Sequence, residues 1–280
     1  MSQALHSSES GCRASTSLFR FRVVERVILA MRERVDEPLS LQLLADIAIM
    51  SPYHFDRVFR QTTGIPACQF LGAIRLEKAK RLLLTTDLSV TDICFEVGYN
   101  SLGTFITRFT QLVGLPPRRL RQLAKKKSNS RLGSLPDSNP QAADSKAAEP
   151  IRGRILAEDA APGPVFVGLF PRPIPQGRPA GCALLNGPGD YALPPVPDGS
   201  YYAFAAAFRQ SDNPVNYLLP DMSKVRVGVS ECIEVRDNQT ADTTDVMLRP
   251  IKLTDPPLLV ALPFLLHEQF SFAPDESNLI

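Results

Sequence analysis

The feature of this chain that most restricts its fold is a local pattern that occurs twice, in residues 39–64 and 89–114. Each copy has a short apolar segment with a small residue at its centre, a polar break, and a second segment that ends in Phe-x-x-x-x-Gly. The two endings are Phe59–Gly64 and Phe109–Gly114. We interpret the repeat as two helix-turn-helix motifs, an arrangement in which the second helix can enter a DNA major groove.

The segment between the two copies supports the same interpretation. From Pro66 to Thr85, apolar residues recur mostly at steps of three and four, and charged residues fill the other positions. This spacing predicts one amphipathic helix. About 20 residues at a rise of about 1.5 Å give about 30 Å, close to the roughly 34 Å between successive major-groove faces on one side of B-DNA. We therefore expect one chain to place two helices in successive grooves.

The residues at these positions resemble the double helix-turn-helix domain of AraC/XylS-type transcription regulators. The resemblance extends over about residues 19–125 and includes both turns, both second helices and the connecting helix. It implies an all-α, DNA-binding domain of about seven helices. The matching residues are Leu44-Ala45, Ser51-Pro52, Phe55, Arg57, Phe59, Thr63-Gly64, Arg75-Leu76, Ala79, Ile93, Gly98-Tyr99, Phe105, Phe109, Gly114 and Pro116-Pro117.

The charges are divided unevenly along the 280 residues. Through Arg131 the chain has 20 Lys and Arg against 11 Asp and Glu, a balance of +9, whereas from Leu132 onward the counts are 11 and 18, a balance of −7. A basic half is typical of a nucleic-acid-binding domain, and an acidic half would be repelled by the same phosphates. Length and charge together predict a multidomain chain.

The second half has a different composition. After a polar stretch of roughly 20 residues rich in Ser, Asn, Asp, Ala and Pro, short apolar runs alternate with prolines and turn residues, a pattern that predicts a small all-β sandwich. We expect a disordered tail at 1–18, an AraC-type DNA-binding domain at 19–127, a flexible linker at 128–150, a β-sandwich at 151–253 and a C-terminal tail at 254–280.

One segment of the second half resembles the carboxypeptidase-regulatory-like, transthyretin-type β-sandwiches. The segment is Gly189–Tyr202, which contains the turn Pro197-Asp198-Gly199. The resemblance implies that Ile151–Ile155 and Thr244–Leu248 are the opening and closing strands. In the turn, proline fixes φ, the aspartate side chain can bond the backbone, and glycine accepts a positive φ.

The second helix of each motif supplies the candidate DNA contacts. By position, the resemblance assigns base contacts to Tyr53, Asp56 and Arg57 in the first motif, and we expect Arg57 to contribute most because a guanidinium can bond O6 and N7 of guanine together. In the second motif Thr107 stands where the family commonly has Arg, so we expect Thr104 and Thr107 to touch bases less specifically. The expected backbone contacts are Ser51, His54, Arg60, Asn100, Ser101, Arg108, Arg118 and Arg119.

The leading hypothesis is a cytoplasmic, sequence-specific DNA-binding transcription regulator. Its expected partners are double-stranded DNA, RNA polymerase, and an unidentified ligand or protein at the C-terminal domain. The alternative is that the β-sandwich is the working module, binding a protein or carbohydrate, and is only localised to DNA by the first half. Four aromatic residues could form a stacking platform for such a partner, although strand alternation favours the core for them. They are Tyr191, Tyr201, Tyr202 and Phe204.

The sequence has few features that indicate an enzymatic, metal-binding or membrane function. It has no P-loop, no G-x-S-x-G, no C-x-x-C pair, and only three widely separated histidines, so we expect no catalytic activity, cofactor or metal. The longest apolar stretch, Leu258–Leu266, is interrupted by Pro263 and is too short to span a bilayer. No membrane anchor is therefore expected.

Overall fold

The structure is a computed structural model that describes residues 4–127, 150–159, 163–211, 213, 215–237, 239–240 and 244–261. These residues form two compact units. The first unit contains the described residues of Met1–Ala79, with Cys94–Asn100 and Lys252–Pro257. The second unit contains Lys80–Ile93 and the described residues of Ser101–Ile251 and Leu258–Ile280.

Residues 4–127 are almost wholly helical, as the periodicity predicts. The first helix starts at Ala4, inside the segment that the Ser-rich composition predicts to be a disordered tail. The seven helices of this part are α1 (Ala4–Glu33), α2 (Leu41–Ala48), α3 (Pro52–Thr63), α4 (Ala67–Thr85), α5 (Val90–Glu96), α6 (Leu102–Val113) and α7 (Pro117–Lys127).

The first unit is built around the aromatic side chains of the first motif, α2 and α3. Helix α1 packs on both of these helices. Phe55 and Phe59 lie edge to face with their ring centroids 5.5 Å apart, and Phe59 meets Phe70 of α4 at 5.4 Å. All three rings are fully buried. The four-residue spacing of the two phenylalanines therefore forms the inward face of α3, as the sequence predicts.

The second motif, α5 and α6, repeats this packing. Phe105 and Phe109 have ring centroids 5.7 Å apart and are fully buried. Leu120 of α7 is also fully buried. It lies fifty positions after Phe70, the same offset that separates Phe55 from Phe105 and Phe59 from Phe109. Helices α3 and α6 each have 12 residues and each end at a glycine with positive φ, 82° at Gly64 and 91° at Gly114. The duplication read from the sequence is thus present in the backbone as well as in the core.

The connecting helix is α4, whose 19 residues correspond to a length of about 28 Å at about 1.5 Å per residue. The sequence predicts this helix from 66 to 85, and the structure places it at Ala67–Thr85. Its apolar residues are buried, among them Leu76, Ala79 and Leu83.

The second unit contains a β-domain, as the short apolar runs predict. Its elements are β1 (Ile151–Ala157), β2 (Val165–Phe170), β3 (Gly181–Leu185), β4 (Gly189–Leu193), β5 (Gly199–Ala207), α8 (Val215–Leu218), a 3₁₀ turn (Met222–Lys224), β6 (Arg226–Val229), β7 (Ile233–Arg236), β8 (Gln239–Thr240) and β9 (Val246–Pro250). The main strand path runs β3-β2-β5-β6-β9-β1-β4, and β7 pairs with both β5 and β8. Because the two ends of the path are consecutive strands joined by a short turn, the sheet curls until it is nearly a barrel. The predicted opening and closing strands, β1 and β9, lie side by side and parallel.

The β-domain has apolar side chains on both faces of its sheet. Alternate residues of β2 enter two different clusters: Val165, Val167 and Leu169 face an inner cluster, while Phe166 and Phe170 face an outer one. The whole of β2 is therefore buried. Because both faces of β2 are buried, its sequence is a continuous apolar run and does not alternate between apolar and polar residues.

The four aromatic residues considered as a stacking platform do not share one surface. Tyr191 is buried in the inner cluster, where its hydroxyl donates to the carbonyl oxygen of Thr244 at 2.7 Å. Phe204 is buried in the outer cluster, on the other face of the sheet. Tyr201 and Tyr202 are half-buried neighbours on β5 whose side chains point to opposite faces. Tyr191 and Phe204 are therefore core residues, as strand alternation favours.

Two predicted segments are only partly described. The predicted linker, 128–150, lies outside the described residues except for Pro150. Of the predicted C-terminal tail, 254–280, the structure describes 254–261, where Leu259 and Ala261 are fully buried. Among the helices that the structure describes, none is long and apolar enough to cross a membrane.

Candidate nucleic-acid interface

The turn of the first motif is fixed by backbone hydrogen bonds. Ser40 caps α2 by accepting from the Leu43 amide at 3.2 Å. The helix ends at Ile49, whose φ of 57° is left-handed. The amide of Met50 then donates to the carbonyl oxygen of Ala45 at 3.0 Å. This 6→1 bond is typical of a helix C-terminus that stops sharply, and it brings Pro52 to the first position of α3.

Helix α3 has one buried face and one exposed face. Phe55, Val58 and Phe59 are buried, as predicted from their spacing. The predicted contact residues Ser51, Tyr53, Arg57 and Arg60 are exposed, and His54 and Asp56 are half-buried. Tyr53 is 83% exposed, a large value for an aromatic side chain on a helix that packs in a core. The exposed face thus presents an aromatic hydroxyl and two guanidinium groups to the solvent.

The guanidinium group of Arg57 has a partner on its own helix. Nη2 of Arg57 lies 3.2 Å from Nδ1 of His54, three residues earlier. For Arg57 to donate here, the histidine must leave Nδ1 unprotonated. His54 therefore restricts the positions that the arginine side chain can take. The sequence predicts a backbone contact for His54, and spacing alone does not reveal this pairing.

Asp56 has a structural contact that the sequence pattern does not reveal. Its Oδ1 accepts from the amide of Ala67 at 3.2 Å and so caps the first turn of α4. A carboxylate at a helix N-terminus satisfies an otherwise unpaired N–H and is favoured by the helix dipole. Burial, and to a smaller extent the negative charge of Asp56, raises the pKa of the neighbouring Cys68 thiol. The base contact assigned to Asp56 stays a prediction, and the carboxylate already connects α3 to α4.

The second motif has the same parts in a different sequence. Ser89 and Asp92 cap α5 reciprocally: the amide of Asp92 donates to Ser89 Oγ at 3.0 Å, and the amide of Ser89 donates to Asp92 Oδ2 at 3.3 Å. The turn passes through Gly98, whose φ is 78°. The amide of Tyr99 donates to the carbonyl oxygen of Cys94 at 3.0 Å, which matches the bond from Met50 to Ala45. Ser101 then caps α6.

The exposed face of α6 is poorer in charge than that of α3. Asn100, Ser101, Thr104, Thr107 and Arg108 are all exposed, as expected of contact residues. Between them lie exposed Gly103 and Ile106, the latter 37% exposed. Arg108 is the only ionisable residue in the sequence of α6. This surface offers methyl groups, hydroxyl groups and one cation.

The predicted backbone contacts of α7 are also at the surface, and a third arginine of this helix has another role. Arg118 and Arg119 are exposed in the first turn of α7. Arg121 instead donates from Nε to the carbonyl oxygen of Leu83 at 3.0 Å and from Nη2 to that of Leu88 at 2.8 Å. These bonds tie α7 to the segment that leads into α5.

The first motif has a corresponding tie. Arg75 of α4 donates from Nε to the carbonyl oxygen of Val35 at 2.9 Å and from Nη2 to that of Glu37 at 2.6 Å, just before α2. Burial lowers the pKa of this guanidinium below its ordinary value. The sequence pattern predicts a polar helix face for Arg75 and does not reveal these two bonds. Among the described residues, no group of three or more His, Cys, Asp or Glu is arranged to hold a metal ion.

Comparison with known proteins agrees with this geometry. Residues 44–123 match a family model described as a helix-turn-helix domain. The chain is 38% identical over 89 residues to the bifunctional transcriptional activator/DNA repair enzyme AdaA of Bacillus subtilis (strain 168), covering 32% of this chain and 42% of AdaA. It is 34% identical over 92 residues to the HTH-type transcriptional activator RhaS of Enterobacter sp. (strain 638), covering 33% of each chain.

A solved structure is also similar to a part of the chain. It is the DNA-binding domain of AdpA, a global transcriptional factor, in complex with a target DNA, with 31% identity and a TM-score of 0.36, covering 37% of this chain and 93% of that one. The chain spans less than half the length of the first curated relatives that it matches. Residues 44–123, which match the family model, include α3, α4, α5 and α6 and both turns. Residues 44–123 of the chain therefore carry a helix-turn-helix domain.

Proposed function

We propose that this chain is a sequence-specific DNA-binding transcription regulator whose two helix-turn-helix motifs bind successive major grooves. The observation that carries the proposal is the repeated geometry of the motifs: each has a capped first helix, a turn through a left-handed residue, and a 12-residue second helix with one buried and one exposed face. The similarity of about a third of the chain to transcriptional activators supports it.

The two motifs contribute differently in this proposal. Helix α3 presents Tyr53, Arg57 and Arg60, and a guanidinium that bonds guanine O6 and N7 together contributes about 1–3 kcal/mol of base discrimination. Helix α6 presents Thr104 and Thr107, which can contact thymine methyl groups or phosphates, and Arg108, which we assign to the backbone. Sequence is thus read chiefly by α3, while α6 contributes position and shape complementarity.

The distribution of charge supports binding through the helical part. Through Arg131 the balance is +9. The described residues of 150–261 have ten Lys and Arg and ten Asp and Glu, so the −7 of the second half comes from residues outside the described part of the chain. A neutral β-domain adds no repulsion of its own to DNA binding.

The remaining elements of the proposal follow from this function. Double-stranded DNA is the principal partner, RNA polymerase is a further one, and the regulator acts in the cytoplasm without a cofactor or an enzymatic activity of its own. We keep the domain limits predicted from the sequence, with DNA binding at 19–127 and the β-sandwich at 151–253. A ligand or protein partner of the β-domain would not bind Tyr191 and Phe204 as one platform, because these two side chains are buried on opposite faces of the sheet.

The test begins with selection of binding sites from random DNA by the full chain. We expect a defined motif and an affinity that falls steeply with salt, since binding releases counterions from phosphates. Arg57→Ala should lose about 1–3 kcal/mol on the selected site and much less on random DNA. Arg108→Ala should weaken binding to both DNAs about equally.

The control is Arg172→Ala, which removes an exposed arginine of the β-domain and should change neither affinity. Failure of the wild-type chain to distinguish selected from random DNA would reject sequence-specific binding. Equal effects of the Arg57 and Arg108 substitutions on the ratio of the two affinities would instead reject the unequal roles of the motifs.

A further inference from the structure

The C-terminal end of α6 is bonded to two segments that lie far away in the sequence. One is the docking loop, Ile174–Arg178, between β2 and β3, and the other is the C-terminal segment, Leu258–Ala261. All of these residues belong to the second unit. The amide of Gly177 donates to the carbonyl oxygen of Leu112 at 3.0 Å, the amide of Ala261 to that of Val113 at 3.0 Å, and Nε of Arg178 to that of Gly114 at 3.2 Å.

These three acceptors are consecutive carbonyl groups at a helix end. The last carbonyls of an α-helix have no partner within the helix. In α6 the amide of Gly114 satisfies the carbonyl oxygen of Thr110, and the distant segments occupy the carbonyl oxygens of Leu112, Val113 and Gly114. The guanidinium of Arg178 also lies at the negative end of the helix dipole, where a cation is favoured.

The docking loop reaches α6 at a position where only glycine fits. Gly177 has a φ of +81°, and a Cβ added there would lie 2.8 Å from the carbonyl oxygen of Gln111. The neighbouring atom is backbone within a helix and cannot move aside. Ile174 and Pro175 of the same loop are buried. The loop is thus packed against the helix, and its closest approach depends on one residue without a side chain.

The C-terminal segment is held at a second point of the same unit. Nζ of Lys80, in the last part of α4, donates to the carbonyl oxygen of Leu258 at 2.6 Å. Lys80 is only 3% exposed, and Leu259 and Ala261 are fully buried. A buried ammonium group needs hydrogen-bond partners, and the C-terminal segment supplies two, the carbonyl oxygens of Leu258 and Leu259. The segment therefore connects α4 with the end of α6.

We propose that Gly177 and Arg178 of the docking loop and the C-terminal segment are positioning elements of the second DNA-reading helix, so that the β-domain is an integral support of the second motif. This inference rests on the proposed function and deepens it. Helix α6 has only one ionisable side chain and reads DNA largely by its placement. Contacts at the C-terminal end of α6 control where this helix is placed.

The test uses the full chain and two substitutions, Gly177→Ala and Arg178→Ala. Matched controls are Gly187→Ala, where an added Cβ has open space within 4 Å, and Arg172→Ala, an exposed arginine three residues before the docking loop's Pro175. Hydroxyl-radical footprinting on a selected site reports each motif separately. The half whose protection weakens in Arg57→Ala belongs to the first motif.

We expect both docking-loop variants to raise the Kd for the second half-site roughly two- to tenfold, the range of one lost hydrogen bond, with the first half unchanged. The controls should match the wild type in both halves. A uniform loss over both halves, or no loss in either, would overturn the positioning role. The half-site comparison separates positioning from general destabilisation, which would weaken both halves together.

A second measurement does not depend on DNA. Hydrogen exchange of the free full chain should show protected amides at Gly177 and Ala261, and Arg178→Ala should speed exchange at both without affecting α3. Unprotected amides in the wild type would reject the docking itself. If the wild type shows this protection but binds no DNA, the proposed function fails while the docking stands.

Discussion

Ile49 and Gly98 adopt the same left-handed backbone conformation at equivalent points of the two motifs, with φ values of 57° and 78°. The Ile49 amide donates to the carbonyl oxygen of Asp46 at 3.0 Å, and the Gly98 amide donates to that of Phe95 at 2.9 Å. Glycine adopts this conformation freely, whereas a β-branched residue is strained in it. The two turns therefore have the same geometry, but the backbone strain is larger at Ile49 than at Gly98.

Ile49→Asn should stabilise the protein by about 1 kcal/mol, because asparagine tolerates the left-handed region that costs other L-residues about 1–2 kcal/mol. Ile49 is 84% exposed, so little buried apolar surface is lost. Urea unfolding followed by circular dichroism measures the change. Ile49→Val keeps the β-branch and should give no gain; a gain of equal size there would show that strain is not the cause.

Gly98→Ala should destabilise the protein by more than about 1–2 kcal/mol, because strain at φ +78° is joined by a clash. An added Cβ would lie 2.7 Å from the carbonyl oxygen of Asp36, which is backbone. Gly103 provides the contrast, since its added Cβ meets only Ser101 Oγ at 3.9 Å. Gly103→Ala, in the helical α6, should stabilise by roughly 0.5–1 kcal/mol. Thermal unfolding of the two variants should therefore shift in opposite directions.

His54→Leu should reduce preference for the selected DNA site by about 0.5–1.5 kcal/mol, because the guanidinium of Arg57 loses the acceptor that holds it. The stronger test is a double-mutant cycle. In an Arg57→Ala background, the His54 substitution should have almost no effect on site preference. Additive losses would mean that His54 contacts DNA independently, as the sequence predicts, and does not act through Arg57.

Alkaline pH should destabilise the β-domain through Cys182. Burial among the aromatic residues of the outer cluster raises the pKa of this thiol from 9.0 to about 12. In the unfolded chain the thiol ionises near its ordinary value, while in the folded protein it stays protonated. Between about pH 9 and 12 the folded state therefore binds more protons, and stability falls as pH rises.

The change is measured as the free energy of unfolding at several pH values. The thiol contributes a slope of up to about 1.4 kcal/mol per pH unit in this window. Cys182→Ala should remove that contribution, although the raised pKa of buried Tyr191 leaves a similar trend above its ordinary value of 10.0. Cys232→Ala, at an exposed position, is the control. Parallel slopes for wild type and Cys182→Ala would contradict the assignment.

The two helix-turn-helix motifs and the helix between them could be predicted from the sequence, because their determinants are local. The four-residue spacing of Phe55 and Phe59, repeated at Phe105 and Phe109, forms one buried face wherever the chain is helical. Ser40 and Gly64 mark a helix start and a helix end through bonds to residues only a few positions away. The DNA-contact assignments rest on the same local pattern and stay predictions.

Contacts between residues that are distant in sequence were decided only by the tertiary structure. Arg75 and Arg121 look like surface residues of amphipathic helices, yet each bonds backbone carbonyls 33 to 40 positions earlier. The segment predicted to be a C-terminal tail reaches the end of α6 through Ala261. Helical and strand periodicity report which side of an element is buried, but not what buries it. Those partners are distant in sequence and come together only when the chain folds, so they cannot be predicted from a local sequence pattern.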